Sequence, residues 1–394
     1  LNLINRILCG DYVDFTPQTA HTAPMNTPLL YIWQQPEWPH WHYNQGQLLP
    51  LLSKVAYAQG LLLGRVADIG MGQRNHTSLV VLTDDVVKTS AIEGERLDVA
   101  SVRSSIARRL GVDIGALAPV DRHIDGVVDM VLDATQHYQQ PLTEERLCAW
   151  HAALFPTGYS GMSKIRVGQW RDDAKGAMQV ISGSINKPKV HFEAPPANAI
   201  ADEMATFIAW FNQTTPEPLI VKAALAHLWF VTLHPFDDGN GRIARALADL
   251  LLARAEHSDQ RFYSLSAQIQ SQRSAYYQVL EATQKGTMDV TAWLVWFCEN
   301  LHAAIVQAQS RIDAVLTKAG FWQLWSAVAF NERQIKLINR LLDGFDGKLT
   351  TSKWAAIAKC SQDTALRDIN ELMKVGLLRK LPQAGRSTGY ELVL

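Results

Sequence analysis

The 394-residue chain lacks the features that mark secreted, membrane-spanning or disulfide-bonded proteins. Its four cysteines lie far apart with no CxxC pair, so neither a disulfide framework nor a zinc site is indicated. The longest apolar runs are far too short to cross a bilayer, and the N-terminus has no basic region followed by an apolar stretch. These absences favour a soluble protein of the reducing cytoplasm, with no membrane association.

The chain also lacks charge of one sign and the common nucleotide-binding loops. Its formal net charge is -1, which excludes a bulk electrostatic attraction to nucleic acid or an anionic membrane, so any charge-driven binding must be local. No GxxxxGK[ST] motif occurs. The glycine pair Gly70 and Gly72 has no third glycine and follows no strand, which argues against a dinucleotide-binding loop.

Helical periodicity dominates what is present, and 47% hydrophobic residues over this length suffice for two or three domains. We therefore predict an all-α protein with one β-hairpin, formed by Gln179–Ile181 and Lys189–Phe192. Thr143 is the predicted N-cap of the helix that opens the central region. The sequence divides into four predicted segments. Residues 1–24 are an arm or upstream remnant, residues 25–140 form a helical domain, residues 141–320 form a helical core, and residues 331–394 form the last segment. The helices predicted in the core are Ala199–Asn212, Leu219–Leu233, Arg242–Glu256, Ser271–Gln284 and Thr291–Leu316.

The last segment has the order of a winged helix-turn-helix: three short helices and then two strand-like pieces. Residues 332–394 hold 11 basic and 7 acidic side chains, which is only mildly basic. DNA binding and protein contact through residues 331–394 both remain open. The candidate recognition helix would present Gln362, Thr364, Arg367 and Asn370, with Arg386–Gly389 as the wing.

The stretch HPFDDGNGRIAR, residues 234–245, has a spacing that points to anion binding. Pro235 ends the apolar helix before it, because the residue preceding a proline is pushed out of the α region. Gly239, Asn240 and Gly241 tolerate positive φ, and helical spacing resumes at Arg242. Such a turn opening a helix leaves free N–H groups that form a cradle for an anion.

The charges of this stretch are explained by a bound polyanion. Arg242 and Arg245 share the first helical turn, where the helix dipole repels cations, but both can grip phosphate oxygens. Asp238 offers one carboxylate to a hydrated Mg²⁺, and His234 can take a proton near neutral pH. A plain helix–loop–helix with surface arginines accounts for any one of these residues but poorly for the whole set.

These residues match the Fic family motif HPFx[DE]GNGRxxR at every defined position, and the chain resembles that family from about Leu142 to Leu301. The resemblance implies a Fic helical core with a hairpin flap and an N-terminal helical extension. It implies that His234 deprotonates a target Ser, Thr or Tyr, which then takes AMP from ATP. The other implied roles are Asp238 as Mg²⁺ ligand, the backbone of Gly239, Asn240 and Gly241 as phosphate cradle, Arg242 and Arg245 on the phosphates, and Phe236 as an anchor.

Two further segments resemble nucleotide-binding parts of the family. The stretch Val180, Ile181, Ser182 and Gly183 is similar to the flap that covers the nucleotide and docks the target by strand addition; an ordinary surface hairpin is the alternative. Tyr276 looks like the adenine contact, unless it simply belongs to the core. Gln284 stands where relatives have asparagine, and it is carried over as a nucleotide contact.

The N-terminal region contains a match to the family's inhibitory motif [ST]xxxE[GN]. Thr89 and Glu93 lie four residues apart on one helix face, and Gly94 follows. The resemblance implies that Glu93 reaches Arg245 and inhibits the site. A solvated glutamate at a helix end is the alternative, and in some relatives the same glutamate supports AMP removal.

The sequence thus predicts a protein adenylyltransferase that uses ATP and Mg²⁺, is inhibited by its own Glu93 and modifies itself as well as a protein target. Gly241 favours nucleotidyl transfer, since a kinase branch of the family has lysine there. The domain order is similar to that of bacterial Fic proteins, and a homodimer is compatible with the sequence. The rival hypothesis is a DNA-binding transcriptional regulator whose Fic domain only senses nucleotide.

Overall fold

The structure is a computed structural model that describes residues 30–67, 69–174, 176–184, 187–342, 344–345, 347–382 and 388–393. The predicted arm, residues 1–24, lies outside these ranges, as do Arg386 and Ser387 of the predicted wing. The chain divides into two compact units, Leu1–Ala308 and Gln309–Leu394. Among the described residues, no helix combines the length and the apolar composition that crossing a membrane requires.

The N-terminal part of the first unit is helical, as predicted. A short 3-10 helix precedes four α-helices: Ile32–Gln34, then α1 (Gln45–Ala67), α2 (Met71–Ile92), α3 (Val99–Leu110) and α4 (Arg122–Gln136). The carboxylates of Asp98 and Asp121 cap α3 and α4 by accepting backbone N–H bonds from the first turns. The apolar faces of α2, α3 and α4 are buried, so these helices pack as one layer against the rest of the unit.

The remainder of the first unit is a helical core with two hairpins. Thr143 caps its first helix as predicted, by accepting a bond from the Arg146 N–H. The elements are α5 (Glu144–Leu154), β1 (Tyr159–Ser160), β2 (Ser163–Lys164), β3 (Gln179–Ser184), β4 (Lys187–Glu193), α6 (Ala197–Asn212), α7 (Leu219–Leu233), α8 (Asn240–Glu256), α9 (Leu265–Ser271), α10 (Arg273–Gln284) and α11 (Thr291–Leu324). Of α11, the residues up to Ala308 belong to this unit.

The structure confirms the predicted hairpin as the antiparallel pair β3–β4 and corrects three details. A second hairpin, β1–β2, was missed because its two-residue strands are too short to show periodicity. The helix predicted from Ser271 is two helices, since Ser271 ends α9 and the chain turns at Gln272 before α10. The last helix continues past the predicted end at residue 316, as far as Leu324.

Helix α7 lies at the centre of the first unit. All but its first residue are buried, which explains why its sequence is apolar on every face rather than on one stripe. Helix α8, whose buried residues run from Asn240 to Ala253, packs along it. Because both helices are fixed by packing on several sides, the loop between them, residues 234–239, is held at both ends.

The second unit shows the predicted order of three helices and two strands. Its elements are α12 (Glu332–Leu342), α13 (Thr351–Ala358), α14 (Gln362–Lys374), β5 (Leu378–Lys380) and β6 (Tyr390–Leu392), and β5 pairs antiparallel with β6. The exposed side of α14 mixes Asp363 and Glu371 with Arg367 and Lys374. Contact of this unit with DNA or protein stays a prediction. Its core contains Leu337, Ile338, Trp354, Ala365, Ile369, Leu372, Leu377 and Tyr390.

A buried cluster of acids joins α2 to α8. Arg261 forms ion pairs with Asp249 at 3.0 Å and with Glu256 at 3.1 Å, and Asp85 accepts a 2.5 Å hydrogen bond from Ser264. Two carboxylates therefore share one guanidinium out of water, and the carboxylate of Asp85 is buried near them. Burial, together with the neighbouring carboxylate of Asp85, raises the pKa of Asp249 to about 8.

This cluster predicts a pH dependence of stability. Asp249 binds its proton more tightly in the folded protein than in the unfolded chain, so the stabilisation is complete at low pH and is lost as pH rises through about 8. Because an unfolded aspartate titrates at about pH 4, we expect the melting temperature of the wild type to fall between about pH 4 and about pH 8. Asp249→Asn should flatten that fall, whereas the same change at exposed Asp259 should not. Parallel pH profiles for Asp249→Asn and wild type would contradict the assignment.

Candidate active site

His234 ends α7 in a conformation that fixes its ring. The residue adopts the left-handed region, with φ 48° and ψ 56°, which stops the helix just before Pro235. Its Nδ1 lies 2.8 Å from the carbonyl oxygen of Val231. Because a carbonyl can only accept, Nδ1 carries the proton, and Nε2 of the neutral ring keeps its lone pair. Burial lowers the pKa of His234, which favours that neutral form.

The loop after His234 is held by one asparagine. The Asn240 side chain accepts a 3.0 Å bond from the Phe236 N–H and donates a 2.8 Å bond to the Phe236 carbonyl. Phe236 is fully buried and stacks on the His151 ring, with 4.2 Å between ring centroids. Both polar groups of the Asn240 side chain are thus occupied within the loop, which leaves its backbone N–H for the predicted cradle.

The N-terminus of α8 is open to an anion. Gly239 is the N-cap at φ 78°, and no side chain caps the first turn. A Cβ at Gly239 would lie 2.9 Å from the Phe155 ring, so the tight turn requires glycine. Asp238 accepts a 2.5 Å bond from the Gly239 N–H and a bond from the Ser160 hydroxyl. Its carboxylate is therefore fixed beside the helix end.

The carboxylate of Glu93 occupies this helix end. Arg245 donates from Nη2 to Glu93 at 2.6 Å, and from Nε and Nη2 to the hydroxyl and carbonyl of Thr89 at 2.7 and 2.9 Å. A Cβ at Gly241 would lie 2.2 Å from Glu93 Oε1, so the carboxylate lies directly against the first turn of α8. Although burial would lower the pKa of Arg245, the charge of Glu93 raises it.

Residues 141–252, which include this loop and both of its arginines, match the family model of the Fic/DOC family. The chain contains a Fic domain. Residues 31–112, which include the end of α2 with Glu93, match a domain of unknown function (DUF4172). The Fic match ends within α8, so it contains His234, Asp238 and Arg245 together.

Named relatives of the Fic domain are protein adenylyltransferases. One from Caenorhabditis briggsae is 28% identical over 146 residues, which cover 36% of this chain and 27% of the relative. Another, from Drosophila ananassae, is 28% identical over 207 residues, covering 51% of this chain and 37% of the relative. The chain thus spans about a third of the length of these curated relatives. A Fic family protein from Desulfovibrio desulfuricans shares the fold with a TM-score of 0.50 at 20% identity, covering 89% of this chain and 97% of that one.

The hairpin β3–β4 of the Fic domain is connected to α10 by a chain of hydrogen bonds. Ser182 Oγ lies 2.5 Å from His191 Nε2, and His191 Nδ1 lies 2.7 Å from Glu281 Oε2. Val180 and Ile181 lie in β3, where a bulge interrupts the register between them. The predicted flap residues are therefore together on one strand, with Gly183 next to Ser182, and the strand pair is fastened to a core helix.

Tyr276 and Gln284 both lie on α10 and are largely buried. The Tyr276 hydroxyl is 2.8 Å from His227 Nε2, and burial raises the pKa of this phenol. Gln284 Nε2 donates to the Val231 carbonyl at 3.3 Å, the same oxygen that holds His234. Both residues contact the helices that carry the site, and their roles as nucleotide contacts remain predictions.

Sequence reasoning missed two residues that build the site. The buried Arg171 side chain donates a 2.7 Å bond to the His234 carbonyl, and its backbone N–H bonds the Pro235 carbonyl at 2.9 Å. Ser160, on the short hairpin, holds Asp238. Neither residue belongs to a sequence pattern that would have marked it, because both reach the loop only through the tertiary fold.

The two hydrogen bonds between the Asn240 side chain and the Phe236 backbone allow a matched test. Asn240→Ala removes two hydrogen bonds and leaves the buried N–H and carbonyl of Phe236 unpaired, so we expect it to lower the free energy of unfolding by about 2–4 kcal/mol. Asn212 brackets the backbone of Leu142 with two bonds in the same way but is exposed. Asn212→Ala should cost less than about 1 kcal/mol, because water can replace its bonds. If chemical denaturation shows equal losses of unfolding free energy for the two variants, the Asn240 bonds have no special role in holding the loop.

Proposed function

We propose that the protein transfers AMP from ATP to a hydroxyl group of a protein substrate, with the Fic loop as the catalytic site. The observation that carries the proposal is the anion already held there: the Glu93 carboxylate lies against the uncapped first turn of α8 and on Arg245. A helix N-terminus with two arginines that binds a carboxylate is suited to bind phosphate. The names of the relatives support the same chemistry.

The reacting proton goes to His234. Nδ1 is fixed on the Val231 carbonyl, so Nε2 takes the proton from a Ser, Thr or Tyr hydroxyl as its oxygen bonds to the α-phosphorus. The bond to the bridging oxygen then breaks, and pyrophosphate leaves with the electron pair. A lowered pKa keeps His234 neutral and ready to accept a proton at neutral pH.

The phosphates would be held by the arginines and by the backbone of Gly239, Asn240 and Gly241. Arg242 and Arg245 are 5% and 2% exposed, yet Arg242 Nε and Arg245 Nη1 have no hydrogen-bond partner among the described residues. Buried donors without partners are costly and are commonly found where a ligand supplies the acceptor. The triphosphate is the acceptor that we propose.

The donor set suits a Mg²⁺ ion carried by the nucleotide. The described residues contain no group of three or more acidic, histidine or cysteine side chains that could hold a metal by themselves. Asp238 supplies one fixed carboxylate, and Mg²⁺ commonly takes one or two carboxylates and completes its shell with water and phosphate. When bound, the ion would neutralise phosphate charge.

The flap would bind the protein substrate. Among the described residues β3 pairs only with β4, so its other edge can accept an added strand. Val180 and Ile181 would align that strand beside the loop, which includes the case of a second copy of this chain as substrate. The anchoring of the hairpin through His191 and Glu281 supports a preformed flap.

Glu93 would act as an inhibitor of its own chain. It occupies the helix end and neutralises Arg245, so the γ-phosphate would have to displace it. The carboxylate has a second use in this position, since it can order a water molecule for removal of AMP from a modified hydroxyl. Both roles require Glu93 where it lies in this structure.

Labelling with ATP that carries the label on the α-phosphate tests the proposal in the full chain with Mg²⁺. We expect Glu93→Gly to raise covalent labelling by at least about tenfold. That factor corresponds to ~1.4 kcal/mol of free energy that ATP spends on displacing Glu93 in the wild type. His234→Ala in that background should abolish the label. His257→Ala is the matched control, because His257 also ends a helix with positive φ, at 49°, but at the far end of α8.

Four outcomes decide between the candidates. Label that survives His234→Ala would remove His234 as the base, and equal labelling with and without Glu93 would remove the inhibitory contact. Absence of label together with salt-dependent binding of duplex DNA would favour the transcriptional regulator. If Glu93→Gly transfers AMP faster but removes it more slowly than wild type, both roles of Glu93 hold.

A further inference from the structure

The end of α2 places two carboxylates, not one, at the Fic loop. The helix closes in a Schellman motif: the Gly94 N–H bonds the Ala91 carbonyl at 3.0 Å, and the Glu95 N–H bonds the Ser90 carbonyl at 3.0 Å. Gly94 adopts φ 85°, the left-handed conformation that this motif requires. The tight turn brings Glu95, two residues after Glu93, back toward α8.

Glu95 pairs with the other arginine of the motif. Its Oε2 lies 3.0 Å from Arg242 Nη1, and its Oε1 lies 2.5 Å from His123 Nε2. Although burial alone would raise the pKa of Glu95, the contacts with His123 and Arg242 lower it, so the carboxylate is ionised. Arg245 therefore holds Glu93 while Arg242 holds Glu95.

His123 approaches this carboxylate as a cation. Its Nδ1 lies 3.0 Å from the Leu154 carbonyl, and Nε2 faces Glu95, so both ring nitrogens face acceptors and both carry protons. Contact with Glu95 accordingly raises the pKa of His123. The other charged groups near Glu95 are Arg242 and Asp238, both of the Fic loop and α8. Glu95 thus joins α4 to α8 through two cations.

Arg242 has a second contact that does not involve Glu95. Its guanidinium lies over the Phe155 ring, 5.1 Å from the centroid, and its side chain is 5% exposed. Glu95 is 34% exposed and contacts Arg242 through one nitrogen only. This geometry fits a carboxylate that covers an already placed cation better than a carboxylate that positions it.

We propose that Glu95 is a second inhibitory carboxylate, which occupies Arg242 as Glu93 occupies Arg245, so that nucleotide must displace both. The inference rests on the proposed function and extends its regulation. Each arginine of the motif then has its own intramolecular anion, and loss of Glu93 alone frees only one of the two.

Calorimetry with the full chain and the Mg²⁺ complex of α,β-methylene-ATP, which cannot transfer AMP, measures this directly. We expect Glu93→Gly to bind the analogue and Glu93→Gly/Glu95→Gln to bind it about three- to tenfold more tightly. Glu93→Gly/Glu95→Ala should behave alike, so a folding defect in one variant does not decide the result. Asp129→Asn, which breaks the 2.6 Å ion pair with Arg109, is the matched control. Added to Glu93→Gly, it should leave the affinity for the analogue unchanged.

The outcomes separate the inference from the function on which it rests. Equal or weaker binding by the double variants than by Glu93→Gly would overturn the role of Glu95, and weaker binding would make it a positioning residue for Arg242. Absence of binding by every variant would overturn the proposed function itself. Tighter binding by the Asp129→Asn control would assign the effect to a general change of charge, which also counts against Glu95.

Discussion

Two buried arginines at the positive end of a helix are the interaction on which the rest of the site depends. Arg242 and Arg245 each lose hydration and lie where the dipole of α8 repels a cation by about 0.3–1 kcal/mol. Removing an ion from water costs several kcal/mol more unless a partner compensates. The fold therefore requires anions at this point, and Glu93 and Glu95 are the ones it supplies from its own chain.

This requirement extends into the packing of α2 on α8. Asp85, Thr89 and Glu93 are spaced four residues apart on α2, and Arg245 and Asp249 are spaced four apart on α8, so polar groups of the two helices form a continuous stripe. One end of the stripe is the Glu93–Arg245 contact at the Fic loop, and the other is the acid cluster around Arg261. An interface that includes such a stripe responds to competing anions and to protons more than a purely apolar one would.

The sequence was informative where the chemistry is local and uninformative where it is distant. The spacing of His234, Asp238 and Arg245 within twelve residues predicted the turn, the helix start and the charges, and Thr143 as N-cap was confirmed because a cap depends on neighbours only. Arg171 and Ser160 meet the loop across 63 and 78 residues of chain, where no period or cap links them to it. His123 likewise meets Glu95 from a different helix. Glu95 lies two residues after the glutamate of the inhibitory motif, but the sequence did not predict its contact with Arg242. That contact depends on a Schellman turn, which only the backbone conformation reveals.

The loop and the end of α2 have different tasks in this arrangement. The bonds that fix the loop run from Asn240 to Phe236 and from His234 to Val231, and others reach it from Arg171 and Ser160. None of these bonds uses the guanidinium of Arg242 or Arg245, so they need not change when a ligand binds. The bonds to the two arginines come from Glu93 and Glu95, which lie outside the Fic domain at the end of α2. In the proposed function, nucleotide and residues 89–95 compete for the same guanidiniums. By linkage, any partner that withdraws residues 89–95 would then raise the affinity for nucleotide by the same factor by which nucleotide raises the affinity for that partner. Under that proposal, a preformed site closed by a removable intramolecular anion would be controlled through α2, and the loop itself could stay constant.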